Sequence, residues 1–158
     1  MNRSDRSPMK WARRSLLAAG AGTLLLRPAR AAVDGHSPAL HSALRGFTGG
    51  AALREGRVRL DVSPLVENGN TVPVSVSVES AMTDAEHVLR IALFNTRNPE
   101  PEVAVFELSP LSGRAFAATR MRLATSQTVL AVAHFSDGSF WQHSVDVVVT
   151  LAACVEGG

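Results

Sequence analysis

The stretch Val72-Pro73-Val74-Ser75-Val76-Ser77-Val78-Glu79 decides the fold. Valine recurs at every second position, and Pro73, Ser75, Ser77 and Glu79 fill the gaps. Successive side chains of a strand point to opposite faces, so this period of two describes a strand with one buried face. The same period appears just upstream, where Val58, Leu60 and Val62 alternate with Arg57, Arg59 and Asp61. Downstream, Leu89 to Phe94 is a strand candidate that is mostly apolar on both faces. Segments from Val103 to Leu108, Ala115 to Leu123, Ser126 to Ala133 and Ser139 to Thr150 complete seven or so strands.

Turn chemistry separates these strands. Glu67-Asn68-Gly69-Asn70 and Ser112-Gly113 read as turns, Asn98-Pro99-Glu100-Pro101 as a loop, and Ser136-Asp137-Gly138-Ser139 as a hairpin. One short helix precedes them, over Ser37-Pro38-Ala39-Leu40-His41-Ser42-Ala43-Leu44. Ser37 can cap it, Pro38 suits its first turn, and Leu40, Ala43 and Leu44 share a face. Gly46 and Gly49-Gly50 are expected to end it. Many short strands without long helices between them predict an all-β antiparallel sandwich rather than a parallel α/β sheet. No internal repeat and no low-complexity linker interrupts the chain.

The length of 158 residues suits one domain plus a short appendage. Apolar residues make up 46% and charged residues 19%, enough to bury a core. A single Cys excludes a disulfide scaffold and a thiolate zinc site. The formal charge of +2 is unevenly placed. Residues 1–32 hold seven of the 16 Lys and Arg and one of the 14 Asp and Glu, which leaves nine basic and thirteen acidic groups from Val33 onward. That later part is therefore about −4.

The first 32 residues read as an export signal. Arg13-Arg14-Ser15-Leu16-Leu17 follows a polar, basic start, and an apolar run from Leu16 to Leu26 leads to Arg27-Pro28-Ala29-Arg30-Ala31-Ala32. This is the order of a charged region, a short apolar region and a small-residue cleavage site, expected after Ala31 or Ala32. The run is about half the length of a membrane-spanning helix. Its paired arginines resemble the twin-arginine type of signal, with an ordinary secretory signal as the alternative. Either route exports the chain to the periplasm with no membrane insertion after cleavage. The remaining anionic chain has no electrostatic reason to bind nucleic acid. The expected organisation is an export signal over 1–32, a sandwich over 33–151 and a C-terminal arm over 152–158.

Candidate chemistry is scarce. His36, His41, His87, His134 and His143 form no metal-ligand spacing, although His134 and His143 lie on neighbouring expected strands and could approach each other across the hairpin. The carboxylate pairs Glu100/Glu102 and Asp84/Glu86 fall in expected loops and read as solvated charge. No catalytic residue and no metal site is assigned, and no cofactor is expected. Trp141, beside Phe140, reads as core, with a partner-facing aromatic as the alternative. Cys154 differs from all of these. It is the only thiol of an exported chain, four residues from its end, in Leu151-Ala152-Ala153-Cys154-Val155-Glu156-Gly157-Gly158. Ala152, Ala153, Gly157 and Gly158 make a thin arm that can detach and enter a narrow cleft. A soft nucleophile on such an arm suits a covalent carrier, because thiols form and exchange sulfur–sulfur bonds. A small hydrophobe ending the last strand is the competing reading of the same residues.

The segments Leu65-Val66-Glu67-Asn68-Gly69-Asn70-Thr71-Val72-Pro73-Val74 and Ser80-Ala81-Met82-Thr83 resemble the SoxY family, the sulfur-carrying subunits of the periplasmic thiosulfate-oxidising system. So do Phe94-Asn95-Thr96-Arg97-Asn98-Pro99, Ser112-Gly113-Arg114-Ala115, Ser126-Gln127-Thr128-Val129 and Ser136-Asp137-Gly138-Ser139-Phe140-Trp141, together with the single terminal Cys. The resemblance implies an immunoglobulin-like sandwich with a flexible C-terminal arm, paired with SoxZ, a second small β-sandwich. It implies a substrate carrier rather than an enzyme, with Cys154 as the attachment point. Thiosulfate would be joined to it by c-type haem proteins, and sulfate released by a manganese-dependent hydrolase. The usual arm of that family is Gly-Gly-Cys-Gly-Gly. Here Ala152-Ala153 replace the first glycine pair and Val155-Glu156 intervene before Gly157-Gly158, so the arm is expected to be stiffer ahead of the thiol. A noncatalytic binding module in which Cys154 carries nothing is the alternative function. An exposed sheet edge at Val103-Ala104-Val105-Phe106 is the candidate partner-facing segment.

Overall fold

A computed structural model describes residues 37–151. The expected export signal at 1–32, the start of the expected sandwich at 33–36 and the arm at 152–158 lie outside the described residues.

The helix α1 spans Pro38–Thr48. Ser37 Oγ accepts the Leu40 N–H at 3.2 Å, and Pro38 occupies the first turn, where no amide donor is needed. Leu40, Leu44 and Phe47 are buried at i, i+4 and i+7. The helix runs past Gly46, contrary to expectation. It stops at Gly49, whose left-handed φ of 64° turns its N–H back onto Arg45 O at 2.8 Å. Gly46 sits on the solvent side of an otherwise favourable helix, and one exposed glycine costs only about 1 kcal/mol against alanine.

Nine strands follow among the described residues: β1 (Leu53–Glu55), β2 (Val58–Asp61), β3 (Leu65–Asn68), β4 (Val72–Val78), β5 (Val88–Asn95), β6 (Glu102–Glu107), β7 (Ala115–Met121), β8 (Gln127–Phe135) and β9 (Phe140–Leu151). They form two sheets. One holds β1-β9-β8-β5-β6 in that order, with β3 also on β9; the other holds β2-β4-β7. Val72, Val74, Val76 and Val78 all face inward, as their spacing requires. They pack against Ile91, Leu93, Val129, Ala131, Ala133 and Phe135 of the larger sheet. The all-β sandwich with one short helix is therefore the architecture.

A second apolar layer lies on the outer side of the larger sheet. Leu40, Leu44 and Phe47 of α1 cover Ala92, Phe94, Leu130, Val132 and Phe140. This layer explains why β5 and β8 lack alternation: one face meets the opposite sheet and the other meets the helix.

One departure from an antiparallel sandwich concerns residues 53–68. β1 pairs in parallel with the start of β9 (Leu53↔Phe140), and β3 pairs in parallel with its end (Asn68↔Leu151). Between them β2 crosses to the smaller sheet and pairs with β4. The chain thus runs alongside β9 and stitches the two sheets together on that side. The Leu60 N–H of β2 donates to His143 Nδ1 of β9 at 3.1 Å across this seam. Among the described residues the opposite side stays open, with β6 and β7 as edge strands. The edge expected at Val103–Phe106 is accordingly the outer strand of its sheet.

Candidate functional site

The candidate site is the end of β9 and the loops around it, because Cys154 follows Leu151 by three residues. Cys154, Ala152, Ala153, Gly157 and Gly158 lie outside the described residues. The root of that segment is held firmly. Leu151 O accepts the Gly69 N–H at 2.8 Å, and Gly69 O accepts the Leu123 N–H at 2.8 Å. Thr150 Oγ1 donates to Glu67 O at 3.0 Å, and the Val149 N–H donates to Ser126 Oγ at 2.9 Å. Strand β9 is therefore anchored by β3, by the turn after β3 and by the loop before β8.

A polar knot braces the loops at this end. Asn98 Oδ1 accepts from the Ala124 N–H at 3.0 Å and from Gln127 Nε2 at 2.7 Å, while Asn98 Nδ2 donates to Arg122 O at 2.7 Å. Asn95 Oδ1 accepts the Asn98 N–H at 2.9 Å, and Gln127 Oε1 accepts the Arg97 N–H at 2.8 Å. Asn95 and Gln127 are buried, and buried amides persist only with such partners. Sequence reasoning treated this region as a loop and missed the knot. Its available signal was Asn95, Asn98 and Gln127 within the stretches that carry the family resemblance.

A cleft of about 370 Å³ opens beside the root. Its apolar wall includes Val62, Val66, Val72 and Val74, with Asp61 and Ser63 among its polar edges. Val66 is the register partner of Val149, which places this cleft within two residues of Leu151 along the strand.

The remaining candidate residues fall elsewhere. His134 and His143 do not converge. His134 lies on the helix side of the larger sheet, its ring stacked on Phe140 with centroids 4.3 Å apart and planes 5° apart. Its Nδ1 is 3.5 Å from Arg90 Nη2. Burial, and then the charge of Arg90, lower the His134 pKa, against an opposing pull from Asp137. His143 points to the other face of the sheet, toward β2. Among the described residues no group of three or more His, Cys, Asp or Glu could hold a metal ion. Glu86 is ion-paired with Arg57. Trp141 is half-buried against the main core, and its Nε1 donates to Ser139 Oγ at 3.0 Å. No helix among the described residues is long and apolar enough to cross a membrane.

Comparison with known proteins adds the following. The family model described as "Sulfur oxidation protein SoxY" matches residues 44–154. The structure is similar to that of the sulfur carrier protein SoxY from Chlorobium limicola f thiosulfatophilum, at 25% identity and a TM-score of 0.60, covering 71% of this chain and 96% of that one. It is also similar in fold to a superoxide reductase (neelaredoxin) from Ignicoccus hospitalis, at 15% identity and TM-score 0.53, covering 60% of this chain and 80% of that one. A superoxide reductase from Nanoarchaeum equitans aligns at 9% identity and TM-score 0.52, covering 61% of this chain and 100% of that one. No curated protein matches the sequence.

Proposed function

The chain belongs to the SoxY family of sulfur oxidation proteins, and from that membership we propose that it is a covalent carrier of sulfur intermediates in thiosulfate oxidation, loaded on Cys154. The observation that carries this reading is where the family match ends: it runs from residue 44 to residue 154, the only thiol in the chain. The anchored end of β9 supports it. A carrier needs a fixed post near its thiol, and hydrogen bonds hold Leu151, three residues before Cys154.

The chemistry asked of Cys154 is simple. Its thiol and thiosulfate join through a new sulfur–sulfur bond, releasing one proton and two electrons; c-type haem proteins take the electrons. Water then cleaves the terminal sulfonate as sulfate and leaves a persulfide on Cys154, a step given to a manganese-dependent hydrolase. The protein itself is not catalytic in this scheme. It presents cargo on residues 152–158 and works as a heterodimer with a SoxZ-like sandwich. The signal at residues 1–32, of twin-arginine type, delivers it to the periplasm. The superoxide reductase likeness is a likeness of fold alone, and fold does not carry function.

The test is intact mass spectrometry of the protein from cells oxidising thiosulfate. Thiosulfonate and persulfide adducts on Cys154 are expected. A uniformly bare thiol would overturn the reading. Cys154→Ser should abolish thiosulfate oxidation with an unchanged melting temperature, whereas a binding module with an idle cysteine would keep its function.

A further inference from the structure

Among the described residues no element covers the outer face of the smaller sheet, and its charge opposes that of the chain. Strand alternation turns Arg59, Phe116 and Arg120 outward. Arg114 and Arg122 bracket β7 and are exposed, and the Arg114 guanidinium lies 4.7 Å from the centre of the Phe116 ring. Among the described residues none of Arg59, Arg114, Arg120 and Arg122 is held in an ion pair. Two carboxylates, Asp61 and Glu79, share the face. Four positive groups against two negative ones stand in a chain that is about −4 from Val33 onward.

The floor between the arginines is small-chained, and its Asp61, Pro73, Ser75 and Ala118 line the cleft that opens beside the root of the terminal segment. Registers place Arg59, Ser77 and Phe116 in one row and Asp61, Ser75 and Ala118 in the next. Such a face is too polar for a permanent subunit, whose interfaces are mostly hydrophobic. Exposed arginines around a single exposed aromatic ring are the composition of a recognition surface. Charges of this kind raise the rate of encounter more than the lifetime of the complex, which suits a brief visit. The exposed apolar side chain Val105 lies on β6, in the other sheet.

Location decides what the visitor is for. Arg120 and Arg122 sit at the end of β7, immediately before Leu123, whose N–H binds Gly69 O; the Gly69 N–H in turn binds Leu151 O. A protein resting on this face therefore abuts the point where the terminal segment begins. We propose that the outer face of β2, β4 and β7 is the docking surface for an acidic partner protein that services the terminal thiol. The proposal rests on the carrier reading above, and it names the recognition chemistry of the visiting enzyme.

The experiment measures association kinetics between the signal-cleaved chain, paired with its SoxZ-like subunit, and the manganese hydrolase of the same Sox system. The wild-type on-rate is expected to fall steeply between about 50 and 500 mM salt. The double variant R59E/R120E should lower it about tenfold or more and flatten the salt dependence. Phe116→Ala should raise the off-rate, and Arg45→Glu on the helix should change neither rate. Unchanged on-rates in R59E/R120E would overturn the proposal. So would loss of pairing with the SoxZ-like subunit in that variant, or binding of phosphatidylglycerol vesicles or duplex DNA as tight as that of the hydrolase. Intact mass of the wild-type chain, read beside these kinetics, separates the two readings. If no adduct ever forms on Cys154 while docking persists, the carrier reading alone fails; if adducts form while on-rates stay flat, the docking surface alone fails.

Discussion

Asn98 shows how much one side chain can organise. It joins the loop after β5 to the loop between β7 and β8 and to the first residue of β8 through three hydrogen bonds. Asn98→Ala would leave the Gln127 amide and the Ala124 N–H without their acceptor, at a cost of about 1–3 kcal/mol. Urea denaturation should register that loss, and amide exchange should quicken at Ala124 and Arg97 before it does in the core. His134 makes a second residue-scale prediction. Burial and Arg90 hold its pKa below the ordinary 6.5, so the fold favours the neutral ring. The unfolded chain then binds more protons once the pH drops through 6.5. The stabilising contribution is complete above 6.5 and declines as the pH falls below it toward the folded-state value. Denaturant midpoints at pH 7.5 and 5.5 should differ more in the wild type than in His134→Gln.

Among the elements, α1 owes its place to packing rather than to propensity. Eleven residues make only a marginal helix in water, so burial of Leu40, Leu44 and Phe47 against the sheet must hold it. Leu40 is fully buried, and Leu40→Ala should cost about 2–5 kcal/mol in thermal or denaturant unfolding. A milder loss of roughly 1 kcal/mol is expected for Gly49→Ala, because an L-residue resists the left-handed conformation that ends the helix. The turn between β1 and β2 uses glycine for a different reason. A side chain at Gly56, where φ is 105°, would have its Cβ 3.5 Å from the Trp141 ring. Element types were readable because β4 and β2 alternate strictly. Strands β1 and β3 were not readable, since Leu53–Glu55 and Leu65–Asn68 are short, largely exposed and without a period. They are strands only because β9 supplies their hydrogen-bonding partner.

Across the whole molecule the two sheets are closed on one side and open on the other, and the closed side carries the candidate site. The seam depends on residues 53–68 following β9 and on the Leu60–His143 hydrogen bond. His143→Ala should weaken the seam by about 1–3 kcal/mol, with faster exchange at the Leu60 amide, while His143→Gln keeps an acceptor and recovers part of the loss. If exchange at Leu60 were the same in all three proteins, the seam would not depend on this bond. The period of two and the turn residues determined an all-β sandwich, because side-chain direction in a strand is a local property. A lone terminal Cys and an ordered set of family-like segments pointed to the carrier reading, because thiol count and motif order are properties of the chain alone. Tertiary structure alone decided that His134 and His143 stand on opposite faces, that Asn98 knots the loops, and that β9 is anchored up to Leu151. It also decided that four arginines gather on one outer face. Each of these is a meeting of residues far apart in sequence, and such meetings follow from strand register and sheet order, which no local pattern encodes.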